Sequence, residues 1–197
     1  MMLAQRLAGG LARTLAAHVI IAGDSHAAAP PDDAGLTPAA VLIAITKRAE
    51  PGVLLTQRPA SMRRHAGQVA FPGGRIDPED ESAVTAALRE AEEEIGLARH
   101  HVSVIGTTDR YRTGTGFDIT PVIGLVPPDL PLTPNVAEVE DWFEVPLAFL
   151  LNTANHRPAS AVWQGVTRDY VEIHWKNRRI WGATAGMIVN LARRMEP

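Results

Sequence analysis

Four glutamates lie close together in the stretch REAEEEIG, which spans residues 89–96. They are Glu90, Glu92, Glu93 and Glu94. Carboxylates this crowded repel one another, and in a helix they would lie near the negative C-terminal end of its dipole. The cluster is therefore either a solvated charged face or a binding site for a cation.

Helical spacing separates these glutamates into two groups. Positions i, i+3 and i+4 share one helix face, which groups Glu90, Glu93 and Glu94 and directs Glu92 elsewhere. An apolar stripe on the same helix, between residues 84 and 95, places the three grouped carboxylates at the border between core and solvent. Oxygen ligands in such a position favour Mg²⁺ or Mn²⁺.

A glycine-rich loop, FPGG at residues 71–74, precedes this helix. Gly73 and Gly74 allow the backbone to approach a phosphate, and the Gly74 carbonyl can be a metal ligand. Arg89 lies four residues before Glu93, so we expect an i, i+4 ion pair between them. A glycine loop followed by a helix with several carboxylates indicates a site for a phosphate together with a metal.

Positive charge is concentrated just before the glycine loop, at Arg58, Arg63, Arg64 and His65. One interpretation is a solvated basic loop, because arginine is common throughout the chain. The other is a clamp for the phosphates of a substrate, which suits the forked donors of arginine. We predict that Arg58, Arg63 and Arg64 bind substrate.

The segment GGRIDPEDESAVTAALREAEEEIGL, residues 73–97, resembles the signature of the Nudix hydrolases. That signature is a glycine, a downstream acid, and then Arg-Glu-x-x-Glu-Glu-x-Gly before an aliphatic residue. The residues in register are Arg89, Glu90, Glu93, Glu94, Gly96 and Leu97. The interval from Gly74 to Arg89 is one residue longer than the general pattern, so the early acid could be Asp80 or Glu81. Counting back from Arg89 selects Glu81.

A second resemblance lies upstream, in LLTQRPASMRRHAGQVAFPGG at residues 54–74. It is similar to the motif of the coenzyme A pyrophosphatase branch of the family. The matching residues are Leu54, Leu55, Thr56, Arg58, Arg63, Gly67, Phe71, Pro72, Gly73 and Gly74. Pro59 departs from the motif, which usually has Ser or Ala there. The extra residue before Arg89 is usual in this branch and supports the assignment.

The resemblance implies metal-dependent hydrolysis of the pyrophosphate bond of coenzyme A or a derivative. The products would be 3′,5′-ADP and 4′-phosphopantetheine or its acyl form. Mg²⁺ or Mn²⁺ would be held by Glu90, Glu93, Glu94 and Gly74. We expect Glu93, Glu138 and Arg89 to be the catalytic residues, and Arg58, Arg63, Arg64, Gly73 and Gly74 to bind substrate. Many Nudix enzymes use an acid from a late strand or loop, so the general base stays open among Glu93, Glu138, Glu140 and Asp141.

Two alternatives to this function remain open. The first keeps the chemistry and changes the substrate to ADP-ribose, a dinucleotide or a deoxynucleoside triphosphate. The second is a catalytically silent Nudix-fold module that senses a nucleotide metabolite. The intact acidic residues argue against the second alternative, because a pure sensor does not need crowded carboxylates.

Strand-like and helix-like segments interleave irregularly along the chain, which predicts a mixed sheet covered by helices. The predicted strands are residues 39–46, 53–57, 68–71, 101–107, 117–126, 139–145, 168–175 and 178–181. The predicted helices are one from an N-cap at Asp80 to a stop at Gly96, and those at residues 146–152 and 183–195. With the resemblance, the expected fold is an α/β/α Nudix sandwich, a mixed sheet with helices on both faces.

The chain has 197 residues, enough for one well-buried domain rather than two. We assign residues 39–197 to the Nudix domain and residues 1–38 to an N-terminal helix and a linker. Leucines recur every four residues from Leu3 to Leu15, which favours a short helix packed on the domain. Because the linker separates this helix from the motifs, we expect it to be dispensable for folding and activity.

Composition narrows the partners and the compartment. The net charge of −3 gives no overall basic field for nucleic acid or a membrane surface, and no apolar run is long enough to cross a bilayer. The chain has no cysteine, which excludes disulfides and thiolate metal sites. We therefore expect a cytoplasmic monomer or homodimer that binds a small-molecule substrate. Residues 1–22 lack acids, which leaves mitochondrial targeting as a minor alternative.

Overall fold

The computed structural model describes residues 2–16, 20–21, 23, 35–62, 65–163 and 165–196. Its helices are α1 (Met2–Ala12), α2 (Ala83–Ile95), α3 (Leu147–Leu151) and α4 (Gly182–Met195). Its strands are β1 (Thr37–Thr46), β2 (Gly52–Gln57), β3 (Val69–Ala70), β4 (Gly73–Arg75), β5 (Ser103–Thr107), β6 (Tyr111–Arg112), β7 (Phe117–Val126), β8 (Asp141–Pro146), β9 (Arg157–Trp163), β10 (Val166–Trp175) and β11 (Arg178–Trp181).

Strand β1 lies at the centre of an eight-stranded mixed sheet. It pairs in parallel with β7 along its full length and antiparallel with β2 and β4. Every residue from Ala39 to Thr46 is buried, as expected of a continuous apolar run covered on both faces. The predicted mixed sheet is therefore confirmed.

Helices cover both faces of this sheet. Because side chains alternate along a strand, Leu42 packs with the alanine-rich side of α2, and its neighbour Ile43 packs on the opposite face with residues of α4. The small side chains Ala87 and Ala91 allow α2 to lie close to β1. The predicted α/β/α sandwich is confirmed, with α2 on one face and α4 on the other.

A second, three-stranded antiparallel sheet is formed by β9, β10 and β11. Ile173 and Ile180 face each other across β10 and β11 and are both buried in the core cluster that contains α4. The sequence predicts β10 and β11 but not β9, whose composition lacks a clear alternation. It also misses β4 and β6, which are too short for any periodicity to appear.

Helix α2 begins later than predicted. Its N-cap is Ser82, whose hydroxyl accepts a hydrogen bond from the Thr85 N–H at 3.1 Å. The predicted cap, Asp80, instead accepts hydrogen bonds from Arg89. The helix ends as predicted, because Gly96 adopts a left-handed φ of 67° that most residues avoid.

The N-terminal helix packs on the domain, as predicted. Leu7 is fully buried in the core cluster that contains α4, and the Arg194 guanidinium donates to the Arg13 carbonyl at 2.8 Å. The Asn190 side chain donates to the Ile21 carbonyl and accepts from the Ile21 N–H, both at 2.8 Å. Most of the predicted linker, residues 24–34, lies outside the described residues. None of the helices that the structure describes is long and apolar enough to cross a membrane.

Candidate functional site

Two glutamates of α2 lie against the glycine loop. The Gly73 N–H donates to Glu94 Oε2 at 3.2 Å. A Cβ atom built on Gly74 would lie 2.4 Å from Glu90 Oε1, so only glycine at this position allows the carboxylate to approach so closely. The glycine loop and the carboxylate helix, separate in the sequence, are thus brought together as predicted.

The Glu94 carboxylate is the most buried acid of the helix, at 4% exposure. Burial raises the pKa of Glu94 to about 8, because a low-dielectric environment disfavours the charged form. The hydrogen bond from Gly73 and the charge of Arg58 oppose this shift, and the charges of Glu90 and Glu138 add to it. In its ionised form Glu94 would therefore be stabilised by a nearby cation.

Glu90 is in a similar environment. Burial is the largest cause that raises its pKa, and the negative charges of Glu93 and Glu138 act in the same direction. Hydrogen bonding to Arg89 opposes the shift. Two partly buried carboxylates with raised pKa values face one glycine loop, which is the electrostatic situation that a bound divalent cation relieves.

The Arg89 guanidinium holds two of the grouped glutamates. Its Nη1 donates to Glu90 Oε1 and to Glu93 Oε2, each at 3.0 Å. The bond to Glu93 is the predicted i, i+4 ion pair, which is confirmed. Arg89 also donates to the Arg75 carbonyl at 3.0 Å, so it joins α2 to β4.

The other partner of Arg89 is Asp80. Nη2 of Arg89 donates to Asp80 Oδ2 at 2.9 Å, and this pairing lowers the pKa of Asp80. The register count from the sequence selects Glu81 as the early acid, but Glu81 is exposed and Asp80 is the acid that contacts the site. The conformation of the loop before α2 explains this difference, because it brings the Asp80 carboxylate within hydrogen-bond distance of Arg89.

The positions of Glu92 and Glu93 agree with the helical spacing. Glu92 accepts a hydrogen bond from Arg99 at 2.8 Å, away from the site. Glu93 lies at the rim, 54% exposed, and is held by Arg89. Within the described ranges no three acidic or histidine side chains are close enough to form a metal site as they stand. The donor set is nonetheless composed of carboxylate oxygens beside a glycine loop, which matches the preference of Mg²⁺ and Mn²⁺.

A turn formed by residues 135–141, here called the acidic turn, reaches the site from the other side. The Asn135 N–H donates to the Glu94 carbonyl at 2.8 Å, which fixes the start of the turn to the end of α2. The Asn135 side chain donates to Glu138 Oε1 at 3.4 Å. Glu138 is exposed, and its charge raises the pKa of both Glu90 and Glu94.

The candidate acids Glu138, Glu140 and Asp141 make different contacts. The Glu140 N–H donates to the Gln57 carbonyl at 2.9 Å, which joins the acidic turn to β2. The Asp141 carboxylate accepts from Arg178 at 2.5 Å. The charge of Glu138 is among the main causes that raise the pKa values of Glu90 and Glu94.

The predicted substrate arginines have different outcomes. Arg58 follows β2, and its positive charge lowers the pKa of Glu94, so the two side chains interact electrostatically. Its Nε is buried and has no hydrogen-bond partner among the residues that the structure describes. A buried donor without a partner is costly, which makes it a candidate for binding an anion. Arg63 and Arg64 lie outside the described residues.

Three site residues were missed in the sequence. The sequence assigns Asp80 to helix capping and prefers Glu81 to it as the early acid, and the roles of Asn135 and Arg178 depend on contacts between distant segments. Asn135 carries a local signal, because Asn at the start of a turn often bonds the backbone two residues later, as it does with Ala137 at 3.2 Å. Arg178 carries no such signal.

Comparisons with known proteins concern the family and the fold of the chain. A family model described as the NUDIX domain matches residues 36–163. The uncharacterized Nudix hydrolase NudL of Escherichia coli strain K12 is 46% identical over 154 residues, which cover 78% of this chain and 80% of that protein. NudL of Escherichia fergusonii matches with the same identity and coverage. A solved structure of a MutT/nudix family protein from Enterococcus faecalis has a TM-score of 0.50 at 16% identity, over 81% of this chain and 61% of that chain, which concerns the fold alone.

Proposed function

The chain belongs to the Nudix family and is a pyrophosphohydrolase, and we propose that its substrate is coenzyme A or a derivative. The proposed reaction is hydrolysis of the pyrophosphate bond, giving 3′,5′-ADP and 4′-phosphopantetheine or its acyl form. Water supplies the hydroxyl group that one phosphorus gains, and the bridging oxygen leaves with the other phosphate.

The observation that carries the chemistry is the pair Glu90 and Glu94 against Gly73 and Gly74. Both carboxylates have raised pKa values, and a Cβ atom at position 74 would force the Glu90 carboxylate away from the loop. A structure that stores repulsion between buried acids at a glycine loop is well suited to a cation bound together with phosphates.

We assign Mg²⁺ or Mn²⁺ to Glu90, Glu93 and Glu94 with the Gly74 carbonyl. When bound, the ion would supply positive charge that neutralises the pyrophosphate and favours deprotonation of the attacking water. Glu93 would be released in part from Arg89, whose guanidinium then keeps Glu90 and Asp80 in place. Glu138 is our first candidate for the general base, with Glu93, Glu140 and Asp141 as the other candidates.

The assignment of coenzyme A rests on the upstream motif at residues 54–74. Two findings support it. Arg58 of that motif lowers the pKa of Glu94, and its buried Nε has no hydrogen-bond partner within the described part of the chain, which suits a phosphate oxygen. The glycine loop at the end of the motif is the loop that contacts Glu90 and Glu94.

A panel of pyrophosphate-linked metabolites tests this proposal. Purified enzyme is assayed with Mg²⁺ and with Mn²⁺ on coenzyme A, acetyl-coenzyme A, ADP-ribose, a dinucleotide and a deoxynucleoside triphosphate, and products are identified by mass. We expect kcat/KM to be highest for coenzyme A or its acyl form, with 3′,5′-ADP as a product. A higher kcat/KM for ADP-ribose or NADH would show that the substrate is wrong while leaving the Nudix chemistry intact.

A matched pair of variants tests the metal residues. Glu94→Gln keeps the size of the side chain and the acceptor for Gly73 but removes the charge, so kcat should fall by two or more orders of magnitude. Glu92→Gln removes a charge from the same helix on the side away from the site and should retain near-normal kcat. Near-normal turnover in Glu94→Gln would exclude Glu94 as a metal ligand.

A further inference from the structure

Arg178 belongs to the second sheet, but its side chain ends on the main sheet. It begins β11 and is only 19% exposed. Its guanidinium donates to Gln57 Oε1 and to Asp141 Oδ2, and it stacks over the Phe143 ring with 4.1 Å between the guanidinium carbon and the ring centroid. These three partners come from β2 and β8, where Gln57 and Asp141 are directly paired.

The two polar partners of Arg178 adjoin the proposed site. Gln57 immediately precedes Arg58, the arginine whose charge acts on Glu94. Asp141 is where the acidic turn joins β8. A forked guanidinium bonded to both groups fixes their relative position better than a single point charge could.

The acidic turn is therefore held at both ends. Asn135 fixes its first residue to the Glu94 carbonyl, and Arg178 fixes its last residue, Asp141, to the second sheet. Glu138 lies between these two anchors. Val139 is 1% exposed, so the turn is also held from inside by the core.

We propose that Arg178 is a positioning residue, which acts through the acidic turn to place Glu138 beside Glu90 and Glu94. The inference deepens the proposed function, because it assigns the second sheet a part in the active site of the enzyme. Removing a residue that orients a catalytic group typically lowers activity by about 10–100-fold.

A purely architectural role of Arg178, joining the two sheets, would predict a different result. It would lower stability, and any loss of activity would not depend on Glu138. A double-mutant cycle separates the two roles, because two residues that act as one unit give strongly non-additive effects.

Arg179 is the matched control. It is the next residue of β11 and points to the opposite side of the second sheet, where it donates to Glu172 at 2.6 Å and to the Tyr170 hydroxyl at 2.8 Å. It also lies over the Trp181 ring, 5.1 Å from the centroid. Arg179→Ala thus removes an ion pair and a ring contact from the same strand, without touching β2, β8 or the acidic turn.

The experiment measures kcat and KM for Arg178→Ala and Arg179→Ala, each alone and combined with Glu138→Gln. Arg178→Ala should lower kcat by about 10–100-fold in the otherwise unchanged enzyme and by less than about 3-fold in the Glu138→Gln background. Arg179→Ala should change kcat by less than about 3-fold in both. The proposal would be overturned if Arg178→Ala lowered kcat by the same factor with and without Glu138→Gln. It would also be overturned if Arg179→Ala lowered kcat as much as Arg178→Ala does.

Two further measurements keep the proposal testable. If Arg178→Ala does not fold, Arg178→Lys keeps the charge and loses the fork, so its smaller loss in kcat should show the same dependence on Glu138. Amide hydrogen exchange needs no substrate. The amides of residues 135–141 should exchange faster in an Arg178 variant than in the unchanged enzyme, and at the unchanged rate in Arg179→Ala. Equal exchange rates in the two variants would count against the proposal.

The proposed substrate and the positioning role of Arg178 can be disproved independently. If the enzyme prefers a substrate other than coenzyme A, the cycle is run on that substrate and the role of Arg178 is still measured. If the cycle is additive, the positioning role is wrong and the proposed hydrolase function is unaffected.

Discussion

At the scale of single residues, Glu94 shows how a site can oppose the stability of the fold that holds it. Its pKa is about 8 in the folded protein, whereas an unfolded glutamate titrates near 4.5. Between these values the folded protein holds a proton that the unfolded chain has released. Raising the pH through this window therefore lowers the free energy of unfolding.

This linkage gives a pH prediction for the protein in the presence of a chelator. The free energy of unfolding should fall by up to about 1.4 kcal/mol per pH unit between about pH 4.5 and 8 because of Glu94. Glu94→Gln should remove most of this slope, and Glu92→Gln should retain it. Urea denaturation at several pH values measures the slope directly. The same slope in the unchanged protein and in Glu94→Gln would contradict the prediction.

Two arginines of the upstream motif should differ in what they recognise. The charge of Arg58 acts on Glu94, where we expect the pyrophosphate to bind, so Arg58→Ala should lower kcat/KM equally for coenzyme A and 3′-dephospho-coenzyme A. We assign Arg63 to the 3′-phosphate, so Arg63→Ala should affect coenzyme A alone. A charge-assisted contact contributes about 1.5–3 kcal/mol, which is about one to two decades in kcat/KM. Equal losses for both substrates in Arg63→Ala would move that arginine to the pyrophosphate.

The residues that the sequence predicts for the site are those that helical spacing or a local motif can identify. Glu90 and Glu94 follow from the period of 3.6, and Gly74 follows from the motif. The choice between Asp80 and Glu81 cannot be made from the sequence, because both residues lie in a loop without periodicity. The contacts of Arg178 cannot be predicted either, since its partner Gln57 is 121 residues away.

At the scale of elements, Arg89 and the loop that precedes the helix add to the contacts of Glu90 and Glu94 that join helix α2 to strand β4. Arg89 contacts Glu90, Glu93, Asp80 and the Arg75 carbonyl, so its guanidinium is nearly surrounded by acceptors. The loop acid Asp80, whose side chain is 4% exposed, thus holds the arginine that bonds two glutamates. An acid outside the helix contributes to the geometry of the helix face.

A pair of aspartate variants tests this arrangement. Asp80→Asn removes the charge that holds Arg89 at 2.9 Å, so kcat should fall by about 10–100-fold, as for other supporting residues. The thermal midpoint should fall as well. Asp77 is exposed and lies 3.5 Å from Arg89, so Asp77→Asn should change kcat by less than about 3-fold. Equal effects on kcat would show that Asp80 is only one of several interchangeable charges.

Element prediction from the sequence succeeds where a strand or helix is long. β1 and β7 are recognised because each is a ten-residue strand that contains a continuous apolar run, residues 39–45 in β1 and 121–126 in β7. β3 and β4 contain two and three residues, and they form only because β1 and β2 separate and leave backbone groups to be paired. That requirement belongs to the sheet, so a local pattern cannot show it.

At the scale of the whole molecule, α1 is part of the domain core. The sequence predicts a helix that packs on the domain but is dispensable for folding and activity, because a linker-like stretch separates it from the motifs. In the structure Leu7 is fully buried, and Asn190 of α4 bonds both backbone groups of Ile21. We therefore now expect removal of residues 1–22 to lower stability.

Two adjacent glycines of α1 test whether the helix is packed. A Cβ atom on Gly9 meets nothing within 4 Å, so Gly9→Ala should raise stability by about 0.5–1 kcal/mol through helix propensity. A Cβ atom on Gly10 would lie 2.9 Å from the Arg194 carbonyl, so Gly10→Ala should lower stability by about 1–3 kcal/mol. Thermal denaturation of both variants measures the difference. If both substitutions stabilise the protein equally, α1 does not pack on α4 as described.

The contact between α1 and α4 also has a consequence in time. Arg194 of α4 donates to the Leu11 carbonyl across 183 residues of chain. A ribosome adds about 5–20 residues each second, so roughly 10–40 seconds pass between the synthesis of these two segments. During that interval the part of α1 that faces α4 has no partner, although β5, with Ile105 in the same apolar cluster as Leu11, has already been synthesised. Docking of α1 on α4 is therefore among the closing steps of folding.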